Sequence, residues 1–267
     1  MEKLFENELL EDLYEARGEE LKKLEHSDIS MYSNYLFRHK VSATTINRKL
    51  AAIKQYNLFL IAEELQKDIV ILDRDYYKMQ NSIISKTLPT ENEINKLLHN
   101  VSRDSKRDFC VVVLLVYGGF REHEIVSLRL IDIRLEERFI NVIGKGHKLR
   151  QIVINNIMYD ALKEYLLERN QLETENQYLF IGKKNINNNN PLNRNFCNRL
   201  LDKYKKLLNI KNLHPHLLRA YFCTNSLHNA GYTIDQVANQ AGHSSLNTTK
   251  KYLVSNKENL LNLSNKL

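Results

Sequence analysis

Four side chains near the C-terminal end of the sequence are suited to phosphate chemistry. His216 and Arg219 stand three residues apart directly after a proline, so a helix over about residues 215–230 would place both on one face. His243 follows a glycine that can end a second short helix, and Tyr252 lies on a third predicted helix. Together they offer groups for proton transfer, a phosphate ligand and a nucleophile.

Cleaving a phosphodiester without a metal ion sets three requirements. The attacking group must be positioned, negative charge on the phosphoryl oxygens must be stabilised, and the leaving oxygen must receive a proton. Guanidiniums bind phosphate oxygens in pairs, and a tyrosine, with an ordinary pKa of about 10, attacks once a base or a cationic site favours its deprotonation. The candidates for these tasks are Arg121, Lys145, His216, Arg219, His243 and Tyr252.

Each candidate also has an ordinary structural explanation. An isolated arginine is most often a surface ion-pair former, a histidine beside a glycine can simply follow a helix end, and a tyrosine on a polar helix usually packs against its neighbours. The joint occurrence of all six favours a functional site. Lys148 competes with Lys145 because both lie on one predicted hairpin, whereas His123, His214 and Tyr221 are interpreted as structural.

Helices and a hairpin must position these residues. Thr90, with Glu93 three residues later, has the spacing of a capping box and predicts a helix ending near residue 100. A buried helix follows over about 107–117, and Gly118–Gly119 should break it so that Arg121 opens the next helix.

The remainder of this half contains both strand and helix patterns. RFINVIGKGHKLRQIVI alternates apolar residues around a glycine turn and predicts a β-hairpin, and QYLFIG at 177–182 predicts a third short strand. KKNINNNNP after it has the composition of a low-complexity loop without a core role. Further helices are predicted over about 194–208 and from Thr233, with Gln236 completing a capping box, to Gly242.

The N-terminal third is predicted to be helical up to about residue 80. SATTINRKLAAIKQYNLFL, residues 42–60, carries apolar residues at helical spacing, and an amphipathic segment continues the pattern over Ile69–Met79. The remaining surface of the 42–60 helix suits contact with DNA phosphates and groove edges, or is simply solvated; its candidates are Thr44, Thr45, Asn47, Arg48 and Lys54. A linker is placed at about 82–89.

Composition favours an intracellular protein with a polyanionic partner. The net charge is +7, although residues 1–30 hold ten acidic against four basic side chains, so the basic excess lies in the rest of the chain. Three isolated cysteines argue against a disulfide framework and a zinc site. The apolar run over 109–117, about nine residues long, is far short of the ~20 that a membrane helix requires. A cytoplasmic, nucleoid-associated location and no membrane association are expected.

Several of these segments resemble the tyrosine recombinase, or phage integrase, family. FREHEIVSLRLIDI, VIGKGHKLRQIVI, HPHLLRA and AGHSSLNTTKKY are similar to that family's boxes and occur in its order, and the 42–60 helix is similar to its core-binding domain. The resemblance covers nearly the whole chain. One position departs from the pattern, since Ala220 stands where the family commonly has histidine.

The resemblance implies a role for each candidate. Arg121 and Arg219 would hold the scissile phosphate, and Lys145 would protonate the departing 5′ oxygen. Tyr252 would attack and leave a 3′-phosphotyrosine. His216 would take the tyrosine's proton or bind the phosphate, His243 would occupy the family's His-or-Trp position, and Glu124 would support the site. No metal, ATP or other cofactor would be needed.

The resemblance also implies an architecture. We expect a mostly α protein with a small antiparallel β-sheet: an all-α core-binding domain over residues 1–85 and an integrase-like catalytic domain over 86–267. Leu260, Leu263 and Leu267 share a helical face of a C-terminal tail that would link protomers. The expected partners are double-stranded DNA with an inverted-repeat core site and further copies of the chain, from dimer to tetramer on DNA.

The biological role is predicted less closely than the chemistry. No arm-binding domain precedes the core-binding segment, which favours resolution of dimers or cointegrates of a bacterial chromosome, plasmid or mobile element. A phage or conjugative-element integrase is the main alternative. A type IB topoisomerase-like enzyme is disfavoured by the leucine-bearing tail. A non-catalytic DNA-binding regulator is disfavoured because Arg121, Lys145, Arg219 and Tyr252 are all present.

Overall fold

The computed structural model describes residues 24–78, 88–144, 149–243, 245–250 and 252. The chain divides into two compact units, Met1–Ile84 and Ser85–Leu267. Within the described ranges, no helix combines the length and the apolar character needed to cross a membrane.

Among the described residues of the first unit, two helices supply most of the core: α1 (His26–Arg38) and α2 (Ala43–Ala62). Helix α2 begins where predicted, because the Ser42 side chain accepts a hydrogen bond from the Thr45 backbone N–H at 3.2 Å. Its buried positions recur at helical spacing and pack against α1; they are Ile46, Leu50, Ile53, Asn57 and Leu60. The apolar residues among them have the helical spacing that predicted α2.

The predicted continuation of helical structure over Ile69–Met79 is wrong for the part that is described. This stretch is irregular, with one 3₁₀ turn at Asp73–Asp75. The cause is the buried amide of Asn57, which donates to the Asp68 carbonyl at 3.1 Å and accepts from the Val70 N–H at 2.9 Å. A segment whose backbone groups are bonded to a neighbouring helix cannot also bond to itself as a helix.

The second unit is mostly helical, with α3 (Glu91–Asp104), α4 (Lys106–Tyr117), α5 (Glu122–Ser127), α6 (Asn156–Arg169), α7 (Phe196–Leu208), α8 (Pro215–His228), α9 (Ile234–Ala241) and α10 (Leu246–Lys250). The predicted Thr90–Glu93 capping box starts α3. Helix α4 is buried over seven consecutive residues, from Cys110 to Val116, because α3, α6 and α8 all pack against it. The predicted fold class, helical with a small antiparallel sheet, is confirmed.

The sheet has three antiparallel strands in sequence order: β1 (Ile133–Arg134), β2 (Phe139–Ile143) and β3 (Leu149–Val153). The hairpin prediction is confirmed by β2 and β3. The strand predicted at 177–182 is wrong, because this stretch makes only an isolated bridge between Arg129 and Tyr178. Its apolar residues, Leu179, Phe180 and Ile181, are instead buried in the core as a loop.

The asparagine-rich loop after residue 182 is held by a buried side chain. The Asn176 amide donates to the Asn188 carbonyl at 2.7 Å, the Asn185 carbonyl at 2.9 Å and the Asn190 carbonyl at 3.0 Å. The loop is therefore ordered around the Asn176 amide, while its own residues 183–190 stay outside the core, as predicted.

Candidate active site

The site begins at the break between α4 and α5. Gly119 has φ +62, a conformation that favours glycine, and turns the chain so that Arg121 becomes the N-cap of α5. Glu124, three residues later, accepts from the Arg121 backbone N–H at 2.8 Å and from Arg121 Nη1 at 3.0 Å. The three-residue spacing between Arg121 and Glu124, which is visible in the sequence, thus allows the carboxylate to hold the Arg121 guanidinium.

Glu124 is bound by a second arginine that arrives from strand β3. Arg150 Nη1 donates to Glu124 Oε1 and Arg150 Nη2 to Glu124 Oε2, each at 2.8 Å. The carboxylate is completely buried. Burial alone would raise the pKa of Glu124, but hydrogen bonds from Arg150 and Arg121 outweigh it and hold this pKa below the ordinary value. Glu124 therefore stays charged at neutral pH.

Three arginines converge on the C-terminal end of helix α9, and we call Arg121, Arg150 and Arg219 the arginine cluster. Arg150 Nε donates to the Gln240 carbonyl at 3.1 Å, Arg219 Nη2 donates to the Ala241 carbonyl, and Arg121 Nη2 donates to the Gly242 carbonyl at 2.7 Å. The last carbonyls of a helix lack partners within the helix and carry partial negative charge. This helix end therefore holds three cations together.

Gly242 is required at this position for two reasons. Its φ of +66 is the left-handed conformation that ends α9. A Cβ there would also lie 2.9 Å from Cζ of Arg150, closer than such atoms approach. The glycine predicted as a helix stop therefore also makes room for the arginine cluster.

Arg219 lies deepest in the cluster. It is buried on α8, and its Nη1 donates to the Gly119 carbonyl. Burial, and next the charge of Arg121, lower the pKa of Arg219 to about 10, so the guanidinium remains protonated at neutral pH. Arg121 keeps 25% of its side chain exposed. Two adjacent cations, one of them accessible, suit a bound phosphate.

His243 and Tyr252 lie directly beyond the same helix end. Their rings are stacked, with centroids 6.2 Å apart and planes at 9°. His243 Nδ1 is 2.8 Å from Oγ1 of the buried Thr249, and His228 Nε2 donates to the Tyr252 carbonyl at 3.1 Å. Helix α10 ends at Lys250, so Tyr252 lies two residues beyond the described helix rather than on it.

Tyr252 is half-buried against an apolar cluster that includes Phe222 and Cys223. Burial raises the pKa of Tyr252, and Cys223 adds to this, whereas Arg219 lowers it. The phenol is therefore protonated in the free protein. It needs a proton acceptor, or a further change in its surroundings, before it can attack.

His243 is expected to make stability depend on pH. Burial, followed by the charges of Arg219, Arg121 and Arg150, lowers the pKa of His243 to about 4. In the unfolded chain His243 has an ordinary pKa of about 6.5, so the unfolded chain binds more protons than the folded chain between pH 4 and pH 6.5. The neutral His243 side chain therefore contributes stability that is complete above pH 6.5 and is lost as the pH falls toward 4.

We expect His243→Gln to reduce this pH dependence, by on the order of 1 kcal/mol between pH 7 and 5 after allowing for partial solvent exposure. The measurement is the urea midpoint of the native protein and the variant at both pH values. His99→Gln, at an exposed histidine of α3, controls for the loss of a histidine elsewhere. An unchanged pH dependence in His243→Gln would mean that this imidazole titrates alike in the folded and unfolded chain.

The structure does not bring the remaining predicted site residues to the arginine cluster within the part of the chain that it describes. His216 is exposed on the first turn of α8, with its ring 6.5 Å from that of His214, which caps the helix. Its described ring contact is thus with His214 rather than with the arginine cluster. Lys145 and Lys148 lie outside the described residues, as does the C-terminal tail.

Three residues of the site are not among the predicted ones: Arg150, His228 and Thr249. Arg150 had a detectable signal, because alternation along the predicted strand places it on the same face as the buried Ile152. A charged residue at an inward position needs a buried partner of opposite charge. His228 bonds to Tyr252, 24 positions away, and Thr249 bonds to His243, six positions away; neither spacing belongs to a recognisable local motif.

The predicted DNA-contact residues of the first unit divide into two groups. Thr44, Thr45 and Arg48 are exposed at the start of α2. The Asn47 amide instead donates to the Tyr77 carbonyl and accepts from the Tyr77 N–H, both at 2.9 Å, so its side chain holds the 73–77 segment. Lys54 is 3.5 Å from Asp73.

Comparison with known proteins places this chain in a family. Residues 88–259 match the phage integrase family, and residues 7–64 match the N-terminal SAM-like domain of phage integrases. The TnP I resolvase of Bacillus thuringiensis is 37% identical over 252 residues, covering 92% of this chain and 84% of the relative. The tyrosine recombinase XerA of Pyrococcus furiosus is 32% identical over 267 residues, covering 94% of this chain and 91% of the relative.

A solved structure with the same fold is the integrase of transposon Tn1549 in complex with transposon right end DNA. It superposes with a TM-score of 0.75 at 20% identity and covers 99% of this chain and 93% of that one. The family match spans most of the chain, including every element of the arginine cluster. The chain therefore belongs to the phage integrase family and is a tyrosine recombinase, an enzyme of site-specific DNA recombination.

Proposed function

We propose that this recombinase cuts and rejoins duplex DNA with Tyr252 as nucleophile, and that it resolves dimers or cointegrates of a plasmid, chromosome or mobile element in the cytoplasm. The observation that carries the chemistry is the position of Tyr252. Its ring stacks on that of His243, which follows Gly242 in the sequence. Arg121 and Arg219 are bonded to the carbonyls at this same helix end. A phosphate bound by these arginines would lie within reach of the phenol.

In the proposed reaction, Arg121 and Arg219 bind the oxygens of the scissile phosphate and stabilise the charge that develops there. Their geometry is preorganised, because carbonyl and carboxylate partners hold both guanidiniums before DNA arrives. A site that is already ordered has little left to reorganise when the transition state forms. His243 borders the same phosphate, and Glu124 supports Arg121 without touching DNA.

The covalent step exchanges one phosphoester for another. The Tyr252 oxygen attacks phosphorus, the bond to the 5′ oxygen breaks, and the DNA is left with a 3′-phosphotyrosine and a free 5′-hydroxyl. By resemblance to the family, Lys145 gives the leaving oxygen its proton, and His216 accepts the tyrosine's proton or binds the phosphate. Attack by the 5′-hydroxyl of another strand reverses the chemistry. Because the number of phosphoesters is unchanged, the step requires no ATP, and the two guanidiniums supply the charge stabilisation for which other enzymes use a metal ion.

The proposed role in resolution is supported by relatives. The protein from B. thuringiensis is named a resolvase, and this chain aligns with it along 92% of its length. Binding to an inverted-repeat core site would bring two protomers to each site and four to a pair of sites. In the first unit, the exposed residues Thr44, Thr45 and Arg48, with Lys54, are the proposed DNA contacts.

The C-terminal tail provides a test of assembly. Deleting residues 256–267 is expected to abolish cooperative pairing of two sites and to leave binding of a monomer to a half-site within about three-fold, because the tail's leucines cannot form a core alone. The measurement is a gel-shift titration on half-site and full-site DNA, in which a paired complex of two full sites is identified by its lower mobility. Replacing Lys257 and Lys266 with Gln in the full-length chain controls for the lost positive charge. Unchanged full-site assembly would contradict a linking role for the tail.

The reaction itself can be tested without knowing the target in advance. The native protein is incubated, without metal or nucleotide, with a pool of duplexes that carry a randomised segment and a nick, and covalent adducts are captured under denaturing conditions. Sequencing the captured DNA identifies the site, and mass analysis of the digested adduct identifies the modified residue. We expect the modification on Tyr252. An adduct on another residue would contradict the assigned nucleophile.

The role in resolution is then tested on plasmids that carry the captured site. Two direct repeats on one plasmid should yield two circles in excess over intermolecular joining of separate plasmids. A predominance of intermolecular joining would favour integration instead.

A further inference from the structure

Arg150 is the member of the arginine cluster to which the proposed function gives no task. It lies on β3, paired in register with Val142, on the strand face that turns inward. Its side chain is 12% exposed. Strand β3 begins at Leu149, so Arg150 is the first inward-facing residue of this strand.

All three nitrogens of the Arg150 guanidinium donate within the protein. Nη1 and Nη2 bind the two oxygens of Glu124, and Nε binds the Gln240 carbonyl. The group also lies against Gly242, where no side chain intervenes. A guanidinium with these commitments is poorly placed to bind DNA itself, and its contacts join β3, α5 and the end of α9.

The charges show why this connection matters for Arg121. Each oxygen of Glu124 accepts one hydrogen bond from Arg121 and one from Arg150. With Arg150 present, the carboxylate is fixed from two sides and shares its charge between two cations. Without Arg150, Arg121 would be the only cation bonded to the buried carboxylate of Glu124. The attraction between Glu124 and Arg121 would be stronger, but fewer contacts would fix the direction of the carboxylate and of the guanidinium bonded to it.

We infer that Arg150 is a positioning residue for strand cleavage: it fixes Glu124, and through Glu124 the phosphate-binding group of Arg121, relative to the end of α9. This inference rests on the proposed function, in which Arg121 binds the scissile phosphate. Small displacements of a group that stabilises a transition state have large effects on rate, whereas ground-state binding by many DNA contacts changes little.

The test is Arg150→Gln, measured on nicked DNA carrying the captured site. We expect the single-turnover cleavage rate at saturating DNA to fall about 100-fold while the dissociation constant for DNA stays within about three-fold. Arg138→Gln is the matched control. Arg138 lies at the other end of the same sheet, where it stacks on Tyr159 at 3.8 Å, so its loss removes a charge and a packing contact away from the site. We expect that control to cleave at the native rate.

A second variant guards against simple misfolding. Arg150→Lys keeps a positive charge beside Glu124 but cannot bind both carboxylate oxygens in parallel. We expect it to fold, with an intermediate loss of about ten-fold in cleavage rate. Glu124→Gln and the double variant with Arg150→Gln complete a cycle. If both residues act as one unit, the double variant should cleave no more slowly than the worse of the two single variants.

Several outcomes would overturn the inference. Native-like cleavage by Arg150→Gln would show that Arg121 is positioned without it. Additive losses in the cycle would show that Arg150 acts independently of Glu124. Weaker DNA binding with a salt dependence reduced by about one charge, and a native rate at saturation, would identify Arg150 as a phosphate ligand. If the native protein itself forms no adduct with any DNA, the proposed function fails before this inference is reached.

Discussion

Replacing Tyr252 with Phe is expected to abolish covalent attachment of the protein to DNA. The change removes only the phenolic oxygen, which is the atom proposed to attack phosphorus, so cleavage should fall by at least about 10⁴-fold. The ring still packs beside Phe222 and Cys223 and stacks on His243, so folding should be preserved. The measurement is adduct formation on nicked DNA after denaturation, together with the dissociation constant, which we expect to remain within about three-fold.

Tyr232→Phe is the matched control for this experiment. Tyr232 is exposed after the end of α8, and losing its hydroxyl should leave adduct formation unchanged. If Tyr252→Phe still formed the adduct, another residue would be the nucleophile. If it failed to bind DNA, its inactivity would not identify the attacking group, which is why both quantities are measured on the same preparation.

Arg219→Gln is expected to reduce the cleavage rate by about 10³-fold or more. Removing one donor that stabilises developing charge typically costs about 10²–10³-fold, and here the donor is a full cation held in a buried position. The substitution also leaves the carbonyls of Gly119 and Ala241 without their donors. Leaving buried acceptors unsatisfied should lower the free energy of unfolding by about 2 kcal/mol. Single-turnover cleavage and urea unfolding measure the two effects separately.

Arg169→Gln separates the loss of stability from the loss of chemistry. Arg169 is also buried, and it binds the main-chain carbonyls of Asn176 and Tyr178 away from the arginine cluster. We expect a comparable loss of stability with little change in the cleavage rate at a temperature where both variants are folded. Equal losses of rate in the two variants would mean that Arg219 acts only through stability.

Local signals predicted much of this fold from the sequence. The boxes formed by Thr90 with Glu93 and by Thr233 with Gln236 start helices as expected, because both partners lie within one turn of each other. The hairpin is likewise encoded by alternation on two adjacent segments. In each case the sequence contains the whole interaction, so spacing alone reveals it.

Predictions failed where distant residues decide the structure. The segment after residue 68 is apolar enough for a helix, but Asn57 and Asn47 bind its backbone from α2, the latter across 30 positions. The apolar run at 177–182 is buried without joining the sheet. Amino-acid propensity does not report a competing partner elsewhere in the chain, and burial by other elements overrides it.

Some residues of the candidate site could likewise be predicted from the sequence, and others could not. Arg121, Arg219 and His243 could be selected from their types and spacing, and they do meet at the end of α9. Arg150 was not selected, because its partners are 26 positions away at Glu124 and 90 positions away at Gln240. A strand position that is inward-facing and charged is the kind of signal that finds such residues in other chains.

The bonding of three guanidiniums to consecutive carbonyls also bears on how the site can come apart. The last turn of α9 is closed by the Gly242 N–H bonded to the Asn239 carbonyl and by the His243 N–H bonded to the Ala238 carbonyl. A local opening of this turn would disturb the acceptors of Arg121, Arg150 and Arg219 in a single event. Hydrogen exchange at these two amides would therefore report how often the protein loses its phosphate-binding geometry, and loss of that geometry should be cooperative.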